Sequence, residues 1–256
     1  MENKETFGAE LAKQIPIGEL YNDLAKPSLS TIGQTLQGAT RVALAPISAV
    51  IWGYDKIAAY LDVAIPEYFA QRKIDKDKII TPDPSVAGPL IDAMRYNSHK
   101  EEPRKMFVNL LGATMNSESN DEHPAFVEVI KQLSSDECKM LIHLHSDDKQ
   151  PILKQRLKLN ENSGEIDLTP FFSDICYLSN CQFPKKFPEY LDNLTRLGLI
   201  SQSHGRFLSD DTYYEVLRNH PAFPKVMDID PKFLKEEKGY YQLSDFGKRF
   251  CKVCID

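Results

Sequence analysis

The sequence lacks a surplus of positive charge: 31 lysines and arginines are outnumbered by 37 aspartates and glutamates, for a formal net charge of −6. This balance excludes a protein that coats nucleic acid through its net charge, although a local basic patch would still bind phosphates. The polar opening, MENKETFGAELAKQ, has no apolar leader, and the five cysteines are an odd number. We therefore expect a cytoplasmic protein in a reducing compartment.

Motifs of catalytic chemistry are also absent from the sequence. No serine or cysteine stands in a G-x-S-x-G nucleophile elbow, and neither a P-loop nor a dinucleotide-binding fingerprint occurs. A zinc site built from Cys176, Cys181, Cys251 and Cys254 is the strongest metal candidate, but one CxxC without a second is more typical of ordinary thiols. We therefore expect a binding protein without catalytic residues, and we expect no metal and no cofactor.

Helical periodicity and proline positions divide the chain into three predicted parts. In the first part, an apolar helix is predicted to stop near Pro66. In the second part, Pro82, Pro84 and Pro89 are predicted to fragment the entrance, and a helix is predicted to follow over PLIDAM. Pro103 then either lies in the first turn of the next helix or lies past the first turn of a helix that Ser98 caps together with Glu101. The predicted parts are an N-terminal helical region over 1–78, a central helical block over 79–133 and a C-terminal part over 134–256.

Short strands and helices alternate in the C-terminal part. Ser134 and Glu137 have the spacing of a capping box and are predicted to start one helix. Thr169 followed by Pro170 is predicted to start another, as an N-cap with proline in the first helical position. A helix over Pro184–Leu197 then leads to a strand, an insertion, a second strand and a closing helix.

This order of elements resembles winged-helix domains. An L-x-x-L-G-L-I spacing precedes the predicted wing, an L-S-x-x-G spacing follows it, and an insertion over 209–238 occupies the position of the wing. The sequence therefore predicts a mainly α fold, with a helical N-terminal region and a C-terminal winged-helix-like α+β unit that holds small sheets. The residues of the two spacings are Leu194, Leu197, Gly198, Leu199, Ile200, Leu243, Ser244 and Gly247.

Basic side chains supply the candidate partner-binding residues of the C-terminal part. Strand alternation places Lys154, Arg156 and Lys158 on one side of a predicted strand. DNA reading by the helix over Pro184–Leu197 would need a basic surface, yet five positive residues between 183 and 220 are offset by five negative ones. Protein contact is therefore favoured over nucleic acid. The further candidates on and beside this helix are Lys185, Lys186 and Arg196.

The segment from Pro27 to Tyr54 carries Arg41 as its only charge and is rich in small residues. Arg41 and Pro46 divide it, and an arginine at the centre of a bilayer costs about 2.5–3.5 kcal/mol on insertion scales. A buried helical hairpin is therefore favoured, with conditional membrane insertion of 27–65 as the alternative. Arg41 is the candidate residue of this segment for contact with a partner or a membrane.

Three consecutive motifs lie within residues 84–135. A Pro-Leu pair opens a helix, an acidic pair with R-x-M-F leads to N-L-L, and H-P-x-F-V-E-x-I-x-Q-L-S follows. Together they resemble the Abi-alpha abortive-infection family of bacterial proteins, over roughly residues 20–250, with departures at Pro103 and in the insertion after Ser209. The matching residues are Pro89, Leu90, Glu101, Glu102, Arg104, Met106, Phe107, Asn109, Leu110, Leu111, His123, Pro124, Phe126, Val127, Glu128, Ile130, Gln132, Leu133 and Ser134.

The resemblance implies a role in phage defence, and it brings no catalytic residues with it. We expect a cytoplasmic phage-defence protein that acts by binding an unidentified protein of the phage or the host. One alternative is a membrane-active effector that uses 27–65. Another is a winged-helix regulator that binds DNA.

Overall fold

The computed structural model describes residues 52–158, 164–203, 205–224 and 229–256. Within these ranges the chain is mainly helical, as predicted, with nine α-helices and one small antiparallel sheet. It forms two compact units that divide between Gln132 and Leu133. The predicted hairpin of 27–54, with Arg41, lies almost wholly outside the described residues.

Helix α3 (Glu101–Thr114) is central to the described part of the first unit, because it contacts the other three helices. Its side chains Phe107 and Leu110 are fully buried. The four helices are α1 (Tyr54–Gln71), α2 (Pro84–Asn97), α3 (Glu101–Thr114) and α4 (Ala125–Lys131), and a short 3-10 turn over Lys76–Lys78 lies between α1 and α2.

The predicted stop near Pro66 is wrong, because α1 continues through this proline to Gln71. An interior proline removes one backbone hydrogen bond. Beyond it, however, Tyr68 and Phe69 are buried, and the burial of two aromatic side chains offsets that loss. Gly112 of α3 lies directly against the Tyr68 ring, where a Cβ atom would overlap the ring.

The predicted fragmentation of the entrance to the central helical block is also wrong, because α2 already includes Pro84 and Pro89. The helix begins at Pro84, where the Asp83 side chain accepts a hydrogen bond from the Ser85 N–H at 2.7 Å, and it runs through Pro89 to Asn97. Proline at the first helical position loses nothing, since its N–H would have no partner there.

Pro103 lies in the first turn of α3, as predicted, and the competing Ser98–Glu101 capping box is wrong. Ser98 instead ends α2, where its backbone N–H donates to the Met94 carbonyl at 3.1 Å. Helix α3 starts after Lys100 and places Pro103 where no hydrogen bond is lost.

The sheet lies in the second unit, and every pair of neighbouring strands is antiparallel. The strand order is β2 (Ile166–Asp167), β1 (Lys149–Leu157), β4 (Leu234–Leu243) and β3 (Ile200–Gln202). β4 pairs with β1 along the full length of β1. The elements are α5 (Ser135–Ser146), β1 (Lys149–Leu157), β2 (Ile166–Asp167), α6 (Ile175–Leu178), α7 (Phe187–Arg196), β3 (Ile200–Gln202), α8 (Thr212–Asn219), β4 (Leu234–Leu243) and α9 (Asp245–Cys254), with 3-10 turns over Pro184–Lys186 and Pro231–Phe233.

One predicted helix start of the second unit is confirmed and another is wrong. The Ser134–Glu137 capping box is present, with hydrogen bonds of 2.7 and 3.2 Å, and Gly198 follows α7 at a φ of 72°. The predicted helix start at Thr169 is wrong. Its hydroxyl accepts a hydrogen bond from the Gln155 N–H of β1 at 2.9 Å, and the next helix begins only at Ile175.

Candidate functional site

A small apolar cluster joins α8 to β1. Phe172 follows β2 and exchanges two backbone hydrogen bonds with Leu153 of β1, at 2.8 and 3.0 Å. The Tyr214 hydroxyl of α8 donates to the Gly239 carbonyl and accepts from the Leu208 N–H, both at 2.9 Å. These bonds satisfy the buried hydroxyl and hold the cluster rigid. Its buried members are Leu153, Phe172, Tyr214, Leu217 and Phe223.

A cleft of about 270 Å³ borders this cluster and shares Phe172 with it. Its walls come from four places in the chain: the loop after β2, helix α6, the start of α7 and the loop after α8. Aromatic rings and prolines form most of the lining, with a single cationic side chain. The lining residues are Pro170, Phe171, Phe172, Tyr177, Pro184, Lys185, Phe187, Pro188, Ala222 and Pro224.

The aromatic walls of the cleft are held by ring contacts. The Tyr177 ring lies 4.5 Å from the His220 ring, and the Phe172 ring lies 5.3 Å from His220 and 5.4 Å from Phe223. His220 Nδ1 accepts a hydrogen bond from the Ala222 N–H at 3.1 Å, which ties down the loop after α8. The Phe172–Phe223 contact is edge-to-face and the two contacts with His220 are tilted, and rings at these distances attract one another, which favours ordered walls.

Lys185 and Lys186 are both predicted contact residues, and the structure separates their roles. Lys185 is exposed, lines the cleft and forms no ion pair with any described residue. Lys186 does not line the cleft, and its Nζ lies 3.9 Å from a Glu189 carboxylate oxygen and 5.7 Å from the centre of the Phe183 ring. Only Lys185 therefore offers an unpaired charge to a molecule in the cleft.

Lys154 and Arg156, predicted as contact residues, lie in an ion-pair network across the sheet. Lys154 Nζ is 2.9 Å from Asp167 and 3.2 Å from Glu237, and its side chain is 9% exposed. Arg156 lies 2.7 Å from Glu237, 2.8 Å from Asp167 and 3.3 Å from Glu165. The hydrogen bond from Lys154 holds the pKa of Asp167 below its usual value, and that from Arg156 does the same for Glu165.

The remaining predicted contact residues are spread over other places. Lys158 is half-buried just after β1. Arg196 ends α7, donates to the Asn193 side chain at 2.6 Å, and shares the helix with the exposed carboxylates of Glu189 and Asp192. Arg41 lies outside the described residues. Of the predicted contact residues that the structure describes, Lys185 alone lines the cleft.

Most lining residues of the cleft are absent from the sequence prediction. The sequence prediction names only charged residues for partner contact, so it omits Phe171, Tyr177 and Pro188. One local signal was available, namely the adjacent Pro and Phe residues of TPFF and FPKKFP, which supply most of two walls. The wall after α8 has no such signal.

None of the described helices is long and apolar enough to cross a membrane. Over the same ranges, no group of three or more histidine, cysteine or acidic residues is placed to hold a metal ion.

Comparisons with known proteins place the chain beside one family. A family model described as abortive infection alpha matches residues 61–254 and so spans parts of both units. A solved structure of an uncharacterized protein from the hydrocarbon-degrading marine bacterium Alcanivorax borkumensis SK2 is 18% identical. It covers 48% of this chain and 87% of its own, with a TM-score of 0.34. No curated protein matches.

Proposed function

Because this chain belongs to the abortive infection alpha family, we propose that it serves abortive-infection-type defence by binding a protein partner in the cleft of its second unit. The observation that carries this proposal is the composition of the cleft. Preformed aromatic and proline walls enclose it, and the unpaired Lys185 lies beside them.

The size of the cleft favours a side chain of a partner protein over a free small molecule. Its volume of about 270 Å³ lies below the roughly 300–1,000 Å³ of pockets that enclose drug-sized ligands. One or two apolar side chains fill such a space. Rigid aromatic walls bind them at little entropic cost, because the rings are already ordered.

The charge of Lys185 selects for an acidic group beside that apolar side chain. An exposed ammonium group attracts a carboxylate and repels a basic segment, so it contributes to the choice of partner more than to affinity. We infer that the partner presents an extended segment in which an apolar residue stands next to aspartate or glutamate. A protein of the phage or of the host would supply it.

DNA binding is the second candidate, and the topology of the second unit favours it. We interpret this unit as winged-helix-like, since β1, β4 and β3 are neighbours in the sheet and α7 directly precedes β3. In such domains the helix before the wing reads the major groove. Against it, the exposed carboxylates of Glu189 and Asp192 on α7 would repel phosphates.

Selection from a random peptide display library tests the proposed partner chemistry. The wild-type protein should enrich peptides with an apolar residue beside an acidic one, and Lys185→Glu should lose this enrichment. Lys186→Glu is the matched control, because it reverses the neighbouring charge outside the cleft and should enrich the same peptides as wild type. Equal enrichment by both variants would exclude the cleft as the binding site.

Two further assays separate the alternatives. Salt-dependent retardation of duplex DNA by the purified protein would favour the regulator, because phosphate contacts weaken as salt rises. Dye release from liposomes would favour the membrane-active effector that uses 27–65. The protein-binding proposal expects neither result.

A further inference from the structure

Two of the five cysteines, Cys176 and Cys181, lie close together at the C-terminal end of α6. Cys176 lies in α6, and Cys181 follows it after Asn180, which has a φ of 52°. The Cys181 N–H donates to the Cys176 carbonyl at 2.8 Å, and the Asn180 N–H donates to the Tyr177 carbonyl at 3.2 Å. This pair of bonds defines a Schellman motif, in which the side chains at the positions of the two cysteines pack against each other.

Both sulfur atoms lie against the same face of α5. Cys176 Sγ is 3.6 Å from Met140 Sδ, and Cys181 Sγ is 3.6 Å from the Asp136 carbonyl oxygen. Asp136 and Met140 are one helical turn apart, so they lie on the same face. Two independent sets of contacts, the backbone turn and the packing on α5, therefore bring the two thiols together.

The two thiols differ in their readiness to ionise. Interaction with the neighbouring Cys176 thiol lowers the pKa of Cys181, and the same interaction together with burial raises the pKa of Cys176. Cys181 is also the more accessible of the two, at 9% exposed against 0%. Cys181 is therefore the attacking sulfur, since the thiolate is the nucleophile in thiol chemistry.

We propose that Cys176 and Cys181 form a reversible oxidation site, which closes to a disulfide when a hydroperoxide reaches Cys181. The Cys181 thiolate attacks the terminal oxygen of the hydroperoxide, the O–O bond breaks, and the rest of the hydroperoxide leaves as an alkoxide (hydroxide for hydrogen peroxide), which gives a sulfenic acid. The Cys176 sulfur then attacks the Cys181 sulfur, the S–O bond breaks, and water leaves. One peroxide is reduced and two thiols are oxidised. A dithiol reductant restores both thiols.

Cys251 and Cys254 provide an internal comparison at closer sequence spacing. Both are buried in α9, where burial raises the pKa of Cys251 to about 12 and that of Cys254 well above its usual value. Neither forms much thiolate near neutral pH, so neither should react early with peroxide. The expected difference in peroxide reactivity between the two cysteine pairs therefore follows from their surroundings and not from the CxxC spacing.

Peptide mapping of the full-length, fully reduced protein after brief treatment with hydrogen peroxide tests this site. Trypsin leaves Cys176 and Cys181 in one peptide between Lys158 and Lys185. That peptide should be lighter by two hydrogens, resist alkylation, and become alkylated again after dithiothreitol. The peptides with Cys251 and Cys254 should stay fully alkylated throughout. Early oxidation of that second pair, or full alkylation of the first, would overturn the proposal.

Two substitutions define the order of the steps. Cys176→Ser should leave a Cys181 sulfenic acid that dimedone traps, and Cys254→Ser, the matched control, should still form the disulfide. The wild-type map needs no variant, so it decides the proposal even if Cys176→Ser does not fold. This chemistry is independent of whether the cleft binds a partner.

Discussion

Asp136→Ala should strongly destabilise the second unit, because one carboxylate holds three donors from distant parts of the chain. Asp136 lies in the first turn of α5 and is 4% exposed. It accepts hydrogen bonds from the Gln182 N–H at 2.7 Å, the Phe183 N–H at 2.9 Å and the Tyr190 hydroxyl at 2.9 Å. Its removal leaves all three donors without their acceptor.

The expected loss follows from those three bonds. A hydrogen bond to a charged group contributes about 1.5–3 kcal/mol. Because the two N–H groups are only partly buried and water replaces some of what they lose, we expect a total of about 3–5 kcal/mol. For a unit of this size that corresponds to a fall in Tm of roughly 10–20 °C. Urea unfolding followed by circular dichroism measures the loss in free energy of unfolding.

The same site predicts a pH dependence. Burial opposes ionisation, but the hydrogen bonds from Gln182, Phe183 and Tyr190 outweigh it and lower the pKa of Asp136. A carboxyl group whose pKa is lower in the folded state stabilises it fully above the unfolded pKa, and that contribution is lost as pH falls through the folded pKa. The stability difference between wild type and Asp136→Asn should therefore shrink below about pH 4.

Asp192→Ala removes an exposed carboxylate on α7. It is the control for Asp136→Ala and should change the free energy of unfolding by less than about 0.5 kcal/mol. An equal effect of Asp136→Ala and Asp192→Ala would refute this reasoning.

Other substitutions test the packing of both units. Gly112→Ala should lower the free energy of unfolding by about 1–3 kcal/mol, because its Cβ would overlap the Tyr68 ring, a side chain that can shift. Fluorescence of the single tryptophan, which lies in the first unit, measures this loss. Gly247→Ala should cost more than Gly112→Ala in thermal unfolding, because its Cβ would overlap the backbone carbonyl of Leu199, which cannot move aside. Phe107→Ala should cost about 3–5 kcal/mol, since this side chain is fully buried; a loss below about 1 kcal/mol would contradict its core position.

Signals between residues close in sequence predicted the fold well. The capping box of Ser134 and Glu137 and the turn at Gly198 each depend on a few adjacent residues, so their geometry is readable from spacing. The predicted helix end near Pro66 was wrong because the burial of Tyr68 and Phe69 depends on α3, which lies far along the chain. Tertiary burial outweighs a local helix breaker when enough apolar surface follows it.

The candidate site was less predictable, for the same physical reason. The alternation of Lys154 and Arg156 showed that they share a face, but their neutralisation by Asp167 and Glu237 depends on the pairing of β1 with β2 and β4. The cleft needs four segments between 170 and 224 to meet, and no periodic pattern links them. Charge alone predicts Lys185 as a contact residue and gives no indication of its apolar surroundings.

Phage plating tests the central claim, that the cleft beside Lys185 is required for defence. Cells that express wild type, Lys185→Glu or Lys186→Glu at equal abundance would be challenged with a phage against which the wild type protects. All three purified proteins should have the same Tm, since both lysines are exposed. The account predicts that Lys185→Glu loses protection while Lys186→Glu keeps it. Full protection by Lys185→Glu, at unchanged Tm and abundance, would contradict it.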